Sequence, residues 1–360
     1  MEKLWSPCME ISMKSINYNV SQIRSCISSG VDIMPIIKDN AYKTFLNTSL
    51  TFLNNFKIVG ISIADEGYEI RNSGYKGEIF ILNQPFICDI SNIINYNLTI
   101  GVSSFDFLYE LSKYDFNFKV HIEIDSGMGR TGIKPSQLID FINKVNSLKN
   151  ITVDGVYTHF SSAETDFNYT KNQYHIFNDC VKIVKNYFPN ITYVHCCNSA
   201  GILNFPEFHC NLIRPGIILY GYYPDNSLIN KINLKPAIKL KSKISFIKTV
   251  PSGTAISYGQ KFITKKESKI ATIPLGYADG VRRSLSNNNV VINDKLAPII
   301  GSICMDCFMV DVSNIDVKLN DDVFIWDNKN ILVDDIAKNY NSINYEVVST
   351  ISERVKRVIL

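Results

Sequence analysis

The stretch DIMPIIKDNAY, residues 32–42, indicates the fold class, because a short apolar run of strand length ends at a lysine, Lys38. Further short apolar runs follow, and longer segments of helical period separate them, which is the pattern of βα units and a parallel sheet. The eight candidate strands lie at 32–38, 57–62, 78–83, 98–102, 120–125, 152–158, 192–196 and 211–214. Eight such units in roughly 220 residues predict an α/β fold, a (β/α)8 TIM-type barrel with its active site at the carboxyl ends of the strands.

An open doubly wound sheet is the competing arrangement, but no Gly-rich turn follows the first strand. C-terminal to these eight strands, the sequence pattern changes to strands of alternating apolar and polar residues with turn residues between them. These strands are expected at 238–249, 269–274, 297–302 and 308–312. We therefore predict a barrel domain over residues 1–232 and a smaller β-rich domain over residues 233–360.

The composition excludes several classes of function. The 37 basic residues nearly balance the 34 acidic ones, and no basic block interleaves with aromatic residues as a nucleic-acid groove requires. No apolar run approaches the ~20 residues that span a bilayer, so we expect neither a membrane anchor nor a signal peptide. Nine cysteines, an odd number scattered through apolar segments, indicate reduced thiols and a cytoplasmic location.

Polar residues collect at the predicted mouth of the barrel. Lys38 ends the first strand, where a partly desolvated amine can form a Schiff base with an aldehyde. Asn198 and Ser199 follow the seventh strand and Arg214 and Gly216 follow the eighth, and barrels frequently bind phosphate with these two loops. Each residue also has a simpler interpretation, as a solvated lysine, a helix cap or a surface arginine. Their convergence favours a site for a phosphorylated aldehyde.

Ten segments, in order and with similar spacing, give the chain a resemblance to the alanine racemase family over almost its whole length. The segments are PIIKDNAY, VHIEIDSGMGRTGI, GVYTHFSSAE, VHCCNSAG, NLIRPGIILYG, LKPAIKLKSKI, ISYG, IPLGYADGVRR, GSICMDCFMVDV and YEVVSTISERV. This family consists of fold-type III enzymes that use pyridoxal 5′-phosphate (PLP), with a barrel followed by a β domain. The resemblance implies PLP-dependent racemisation of a small amino acid, L-alanine to D-alanine.

The resemblance also implies roles for four catalytic residues. Lys38 would carry the PLP and act as one base, and Tyr258 would be the second base on the opposite face of Cα. Racemisation needs both, because a single base returns the proton to the side from which it came. His159 would link Tyr258 to Arg214, and Arg214 would donate to the pyridine nitrogen without giving up its proton. This arrangement should restrain transamination and decarboxylation.

Further contacts follow from the same resemblance. The cofactor would be bound by Tyr42, Arg130, Asn198, Ser199, Gly216 and Ile217, besides the catalytic Lys38, His159 and Arg214. The substrate would be bound by Arg130, Tyr277, Met305 and Glu353. In the family, residues matching Tyr258, Tyr277 and Met305 reach the cofactor of the other subunit. The resemblance therefore implies a homodimer whose active sites lie at the subunit interface.

The chain departs from the family pattern at four places. Glu123 stands where many relatives have a carbamylated lysine, and we expect the Glu123 carboxylate to orient Arg130. Lys43–Thr44–Phe45 replaces Gly-His-Gly, so the turn after the first strand must differ. Glu353 replaces a tyrosine that contacts the cofactor phosphate in many relatives. The phosphate would repel a carboxylate at this position unless the side chain turns away or finds a cation. The carboxylate could also accept a hydrogen bond from a polar substrate. Ser302 replaces an arginine at the entrance.

Three alternatives stay open. Glu353 suggests activity on serine or a broader range of amino acids beside alanine. The altered loop is compatible with a catalytically degenerate protein that only binds PLP. A zinc site at His195–Cys196–Cys197 is the least favoured, because adjacent cysteines on a strand point to opposite faces, and we expect no metal.

Overall fold

A computed structural model describes residues 7–360, which form two compact units. The barrel unit comprises Tyr18–Ala41 and Phe45–Lys235, and the β unit comprises residues 7–17, 42–44 and Pro236–Leu360. The sequence-based boundary at residue 232 thus divides the chain close to the same point but places residues 7–17 and 42–44 with the barrel. Residues 7–17 group with the β unit because the strand Cys8–Ile11 pairs antiparallel with Ile238–Lys243.

The barrel unit contains eight parallel strands, as the apolar runs predict. Barrel strands 1 to 8 are Asp32–Ile33, Ile58–Ile61, Glu78–Ile81, Thr99–Val102, Phe118–Glu123, Ile151–Tyr157, Tyr193–His195 and Leu212–Ile213. Strands 2 to 7 form one six-stranded sheet in sequence order, and strands 1 and 8 pair with each other. The Ile37 amide donates to the Gly60 carbonyl at 2.8 Å and the Arg214 amide to the Cys197 carbonyl at 3.0 Å, which closes the ring. The barrel-like α/β fold is confirmed.

The core inside the barrel is built from side chains of several strands. Its buried cluster consists of Met34, Ile36, Ile58, Phe80, Tyr157, Tyr193 and Leu212. Parallel strands covered on both faces read as continuous apolar runs, which is why the strands were recognisable in the sequence.

Helices connect the strands. Their bounds are Met13–Ser25, Leu50–Leu53, Ala64–Asn72, Ile90–Tyr96, Phe105–Leu111, Leu138–Asn146, Phe167–Tyr187, Ser199–Asn204, Val333–Asn339 and Asn344–Ser349. Leu138–Asn146 buries one apolar stripe at helical spacing, as predicted, after a single turn at Pro135–Gln137. Within residues 7–360, no helix combines the length and the apolar character that crossing a membrane requires.

The segment after barrel strand 1 has an unusual backbone. Residues 39–43 all have positive φ angles, from 50° to 61°, which makes a left-handed turn of five non-glycine residues. Each such residue costs roughly 1–2 kcal/mol relative to a right-handed turn. The Glu66 side chain supports the turn, because it accepts from the Asp39 amide and, at 2.8 Å, from the Ser62 amide. This geometry determines how the chain leaves Lys38.

The β unit is built on one nine-stranded sheet. Its order is Phe246–Val250, Ser268–Ile273, Phe308–Asp311, Lys295–Ile300, Asn289–Ile292, Asp322–Trp326, Ile238–Lys243, Cys8–Ile11 and Lys356–Ile359. A separate two-stranded ribbon is formed by Ala255–Ile256 and Phe262–Ile263. The predicted strand 238–249 is two strands, because the Ile244 amide donates to Asp321 and the Ser245 amide donates to Thr272. The β-rich class of this region is confirmed.

Candidate active site

Lys38 lies at the carboxyl end of barrel strand 1, as the sequence predicts. Lys38 retains solvent-accessible surface, and the protein atoms packed around its amine desolvate it. Desolvation lowers the pKa of Lys38, and the positive charge of Arg130 lowers it further. The carboxylates of Glu66 and Asp39 act in the opposite direction but do not cancel the shift. The amine at this position therefore loses its proton more readily than that of an ordinary lysine, which makes it a better nucleophile.

Arg214, directly after barrel strand 8, is buried, with 2% of its surface exposed, so it is not a surface charge. Nη1 bonds to Nδ1 of His195 at 2.8 Å, and Nη2 donates to the Thr158 carbonyl at 2.9 Å and the Cys196 carbonyl at 3.1 Å. Nε is buried and has no hydrogen-bond partner among residues 7–360. A buried cationic N–H without an acceptor is costly, so this atom is expected to face a ligand acceptor.

His159 follows barrel strand 6 and lies beside Arg214. Its Nδ1 is 3.4 Å from Nη2 of Arg214. Burial lowers the pKa of His159 well below its ordinary value, and the charges of Arg214, Arg130 and Lys38 lower it further. The imidazole is therefore neutral, and its Nδ1 is the acceptor toward Arg214. The expected link from His159 to Tyr258 stays a prediction.

The loops after barrel strands 7 and 8 meet, as the phosphate-site hypothesis requires. The Gly216 amide donates to the Ser199 hydroxyl oxygen at 2.9 Å, which leaves the Ser199 hydroxyl proton available to an anion. Ile217, the next residue, begins the short buried turn Ile217–Tyr220. Asn198 caps the helix Ser199–Asn204 by accepting from the Gly201 amide at 2.9 Å. Asn198 is therefore the cap of this helix, and its contact with a cofactor stays a prediction.

Glu123 does not contact Arg130, so the expectation that it orients this arginine is wrong for this structure. Its two carboxylate oxygens accept from the Ser103 hydroxyl at 2.9 Å and the Thr131 hydroxyl at 3.0 Å. Glu123 is buried, whereas Arg130 is exposed and forms no ion pair within the described part of the chain. Hydroxyl groups on both sides satisfy the carboxylate without a cation.

The three residues expected to reach a neighbouring subunit all lie in the β unit and are exposed. The exposed fractions of Tyr258, Tyr277 and Met305 are 72%, 44% and 52%. Two hydrogen bonds bring their loops together: the Tyr277 amide donates to the Cys304 carbonyl at 3.1 Å, and the Ser302 hydroxyl donates to the Tyr258 carbonyl at 3.2 Å. Three large side chains therefore project from one cluster of loops.

The loops in this cluster pack closely around Gly276. A Cβ added at Gly276 would lie 2.2 Å from the Met305 carbonyl oxygen. Ser302, the residue in place of a family arginine, is itself buried, with 4% of its surface exposed. Only a glycine therefore permits the loop that carries Tyr277 to approach the loop that carries Met305.

Two departures from the family pattern contact each other in the β unit. Nζ of Lys43 lies 3.8 Å from a carboxylate oxygen of Glu353, which is 65% exposed. Tyr42 lies beside Tyr345, with ring centroids 6.3 Å apart. Of the two possibilities for Glu353, turning away or finding a cation, the structure shows a nearby cation, and it belongs to the altered loop.

The expectation that Cys196 and Cys197 point to opposite faces of a strand is wrong. Barrel strand 7 ends at His195, so the two cysteines follow the strand and do not alternate across it. Their sulfurs are 4.0 Å apart, and both donate to the Phe208 carbonyl. All nine cysteines are free thiols. Burial raises the pKa of the Cys196 thiol well above its ordinary value, which disfavours the thiolate that binds metals.

Two residues near the site were missed at the sequence level. Glu66 accepts from the nearby Ser62 amide, but the Asp39 amide through which it supports the turn after Lys38 lies on a distant segment and leaves no local signal. His121 bonds through Nδ1 to Nε2 of His195 at 3.0 Å inside the barrel. His121 and Glu123 alternate along barrel strand 5, which ends at Glu123, so the sequence does place these two side chains on one face.

Comparison with known proteins agrees with the fold and with the placement of the motifs. Residues 11–224 match the family model "Alanine racemase, N-terminal domain", and residues 237–359 match "Alanine racemase, C-terminal domain". The alanine racemase of Halothermothrix orenii is 38% identical over 97% of this chain and 95% of its own length. Alanine racemase 1 of Clostridium acetobutylicum is 38% identical over 98% of this chain and 94% of its own length.

Solved structures lead to the same family. The structure of Clostridium difficile alanine racemase has a TM-score of 0.94 and 32% identity, covering 99% of this chain and 96% of that chain. The structure of Bacillus anthracis alanine racemase with bound L-Ala-P has a TM-score of 0.93 and 32% identity, covering 99% and 95%. With both family models matched and relatives similar over nearly the whole length, the chain belongs to the alanine racemase family of isomerases.

Proposed function

We propose that this protein is a PLP-dependent alanine racemase that interconverts L-alanine and D-alanine, acting as a cytoplasmic homodimer. The observation that carries the proposal is the buried Nε of Arg214, a cationic donor without an acceptor among the described residues, in the same barrel mouth as the shielded amine of Lys38. Both atoms suit PLP, because its aldehyde reacts with an amine and its pyridine nitrogen accepts a hydrogen bond.

The other residues of the barrel mouth fit the remaining parts of the cofactor. The Ser199 hydroxyl and the amides of Gly216 and Ile217 are donors suited to a phosphate, and Tyr42 is proposed to contribute its phenol. Asn198 supports this loop through the helix cap. Arg130 is exposed and unpaired in the described part of the chain, so it is free to bind the phenolic oxygen and a substrate carboxylate.

When bound, PLP withdraws electrons from the Cα atom of the amino acid and so makes its proton acidic. Arg214 binds the pyridine nitrogen with an N–H that it does not release, because a guanidinium stays protonated. Lys38, whose pKa is lowered, removes or returns the Cα proton on one face, and Tyr258 does so on the other. Tyr277 and the backbone amide of Met305 are proposed to contact the substrate.

The homodimer is proposed because Tyr258, Tyr277 and Met305 are all exposed on a single chain. Isolated large side chains on a surface are common, but three from one loop cluster are better explained by a partner that buries them. The proposed interface contributes these three residues to the partner's site.

The test measures loss of optical rotation of L-alanine and D-alanine by the purified, PLP-loaded protein. Lys38→Ala and Tyr258→Phe should each reduce kcat at least 100-fold. Lys57→Ala and Tyr114→Phe are matched controls, since both residues are exposed and lie in the barrel unit away from the strand ends at the mouth, and they should change kcat less than twofold. Absence of racemisation in a wild-type preparation that binds PLP would refute the proposal and favour a protein that only binds the cofactor.

A wider substrate range is the second candidate, and Glu353 favours it. Lys43 partly neutralises this carboxylate, which reduces its repulsion of a phosphate while leaving an oxygen to accept from a substrate hydroxyl. We expect kcat/KM for serine within tenfold of that for alanine, and Glu353→Tyr should widen the gap. A strong alanine preference in the wild type would contradict this candidate alone.

A further inference from the structure

A row of three hydrogen-bonded side chains runs through the barrel interior from Arg214. Nη1 of Arg214 bonds to Nδ1 of His195 at 2.8 Å, and Nε2 of His195 bonds to Nδ1 of His121 at 3.0 Å. Both histidines are completely buried. Of the two histidines in this row, His195 forms the hydrogen bond to the arginine, and His121 is connected to it through His195.

Arg214 determines which ring nitrogens carry protons. A guanidinium has only donors, so Nδ1 of His195 must be the acceptor and the proton of neutral His195 lies on Nε2. That proton is donated to Nδ1 of His121, so the proton of neutral His121 also lies on Nε2. Both histidines are neutral, because burial and the charge of Arg214 lower the pKa of each.

The row ends at two carboxylates. Nε2 of His121 is buried and has no hydrogen-bond partner within residues 7–360. An imidazole nitrogen of His121 and one oxygen each of Glu78 and Asp154 lie within 4.8 Å of one another. Nδ1 is occupied by His195, so Nε2 is the nitrogen left for these two acids.

Each carboxylate is held in place by a threonine. The Thr99 hydroxyl donates to Glu78 at 2.7 Å, and the Thr192 hydroxyl donates to Asp154 at 2.5 Å. Since each acid has a second oxygen, both can accept a further hydrogen bond. Nε2 of His121 makes no direct hydrogen bond to either acid, and polar atoms within 4.8 Å of one another can share a single water molecule.

These three groups resemble a metal site, but the proton arrangement argues against one. A metal would need the lone pair of Nε2 of His121, which would move the proton to Nδ1. The proton of His195 would then move to its own Nδ1 and face an N–H of Arg214. Two donors would oppose each other in a buried position, so the cluster accepts a proton donor and not a cation.

We propose that Glu78 and Asp154 are positioning residues for Arg214, which act through a buried water, His121 and His195. The two acids accept, through the water, the proton on Nε2 of His121. They thereby favour the Nε2-protonated tautomer of both histidines, in which Nδ1 of His195 can accept from the guanidinium. Arg214 is thereby held with Nε turned toward the acceptor proposed above. This inference deepens the proposed function and rests on it for the role of Arg214.

The test uses the PLP-loaded protein with ¹⁵N-labelled histidine, because two-bond NMR correlations identify the protonated ring nitrogen. The chain has five histidines, and His121→Gln and His195→Gln assign the two signals. We expect both residues to be neutral with the proton on Nε2. A proton on Nδ1 of either residue would overturn the proposal, and so would stoichiometric binding of added Zn²⁺ that shifts the His121 signals.

Matched variants test the functional consequence. His121→Leu removes both the acceptor and the donor of the row, whereas His121→Gln retains one of each. We expect His121→Leu to weaken PLP binding about tenfold and His121→Gln to restore it to within threefold. The double variant Glu78→Gln, Asp154→Asn should shift the His121 resonances, while the surface control Glu110→Gln should not.

Unchanged His121 resonances in the double variant would also overturn the inference, as would equal PLP affinity in the Leu and Gln variants. If His121→Leu does not fold, the tautomers of the wild-type protein still decide the question. The NMR result does not depend on turnover, so a wild-type protein without racemase activity would count against the proposed function and leave this test intact.

Discussion

Protonation of His121 should make the stability of the protein depend on pH. Burial lowers the pKa of His121 from 6.5 to about 3, and the positive charges of Lys119 and Arg214 contribute to the shift. Between these values the unfolded chain binds more protons at this residue than the folded protein does. The contribution is therefore fully present above pH 6.5 and is lost as the pH falls toward 3.

The magnitude follows from the shift. One pKa unit corresponds to ~1.36 kcal/mol, and pH 5 lies about 1.5 units below the unfolded value, so His121 lowers the free energy of unfolding by about 2 kcal/mol between pH 8 and pH 5. His121→Gln removes this group and keeps a hydrogen-bonding side chain. The pH-dependent loss in the variant should therefore be smaller than that of the wild type by about 2 kcal/mol.

The assay is urea unfolding at pH 8 and pH 5, followed by circular dichroism. The comparison of differences cancels the other titrating groups, which the two proteins share. His175→Gln is the matched control, because His175 is exposed on the helix Phe167–Tyr187, and its pH-dependent loss should match that of the wild type. An equal loss for His121→Gln and wild type would refute the reasoning, since it would mean that His121 does not titrate differently on unfolding.

Four further substitutions have effects whose direction the structure specifies. Arg130→Ala should raise the pKa of Lys38 and Glu66→Gln should lower it, because the charges of Arg130 and Glu66 act on the amine with opposite sign. The pH dependence of PLP binding to Lys38 in the apoprotein measures both shifts. Shifts of the Lys38 pKa in the same direction would contradict this interpretation. Arg357→Ala should lower the free energy of unfolding by ~2–3 kcal/mol, because its guanidinium donates to four backbone carbonyls. Lys43→Ala removes an ion pair to the largely exposed Glu353 and should lower the free energy of unfolding by less than ~1 kcal/mol in urea titrations. Equal losses for Arg357→Ala and Lys43→Ala would contradict the comparison.

Local patterns predicted the barrel well. Each strand is a short apolar run because both faces of a parallel sheet are covered. The runs of the first and eighth strands end just before Lys38 and Arg214, where the chain leaves the sheet. The position of Ser199 beside Gly216 followed from the neighbouring order of strands in a barrel. These features depend on periodicity and topology, which a single sequence contains.

Features that depend on distant partners could not be predicted in the same way. The left-handed turn at residues 39–43 contains no glycine, so nothing in its own sequence indicates positive φ angles, and Glu66 supports it from another helix. The strand Cys8–Ile11 belongs with the β unit only because of its pairing with a strand more than 200 residues away. The contact of Lys43 with Glu353 likewise joins two substitutions that are far apart in the chain.

The central claim is that two bases exchange the Cα proton from opposite faces, and deuterium exchange tests it most directly. In D2O the wild-type protein should incorporate deuterium at Cα from both L-alanine and D-alanine and interconvert them. Tyr258→Phe, loaded with PLP, should still exchange the proton of one enantiomer through Lys38 but produce almost none of the other. Racemisation near the wild-type rate in this variant, or equal loss of exchange from both enantiomers, would contradict the account.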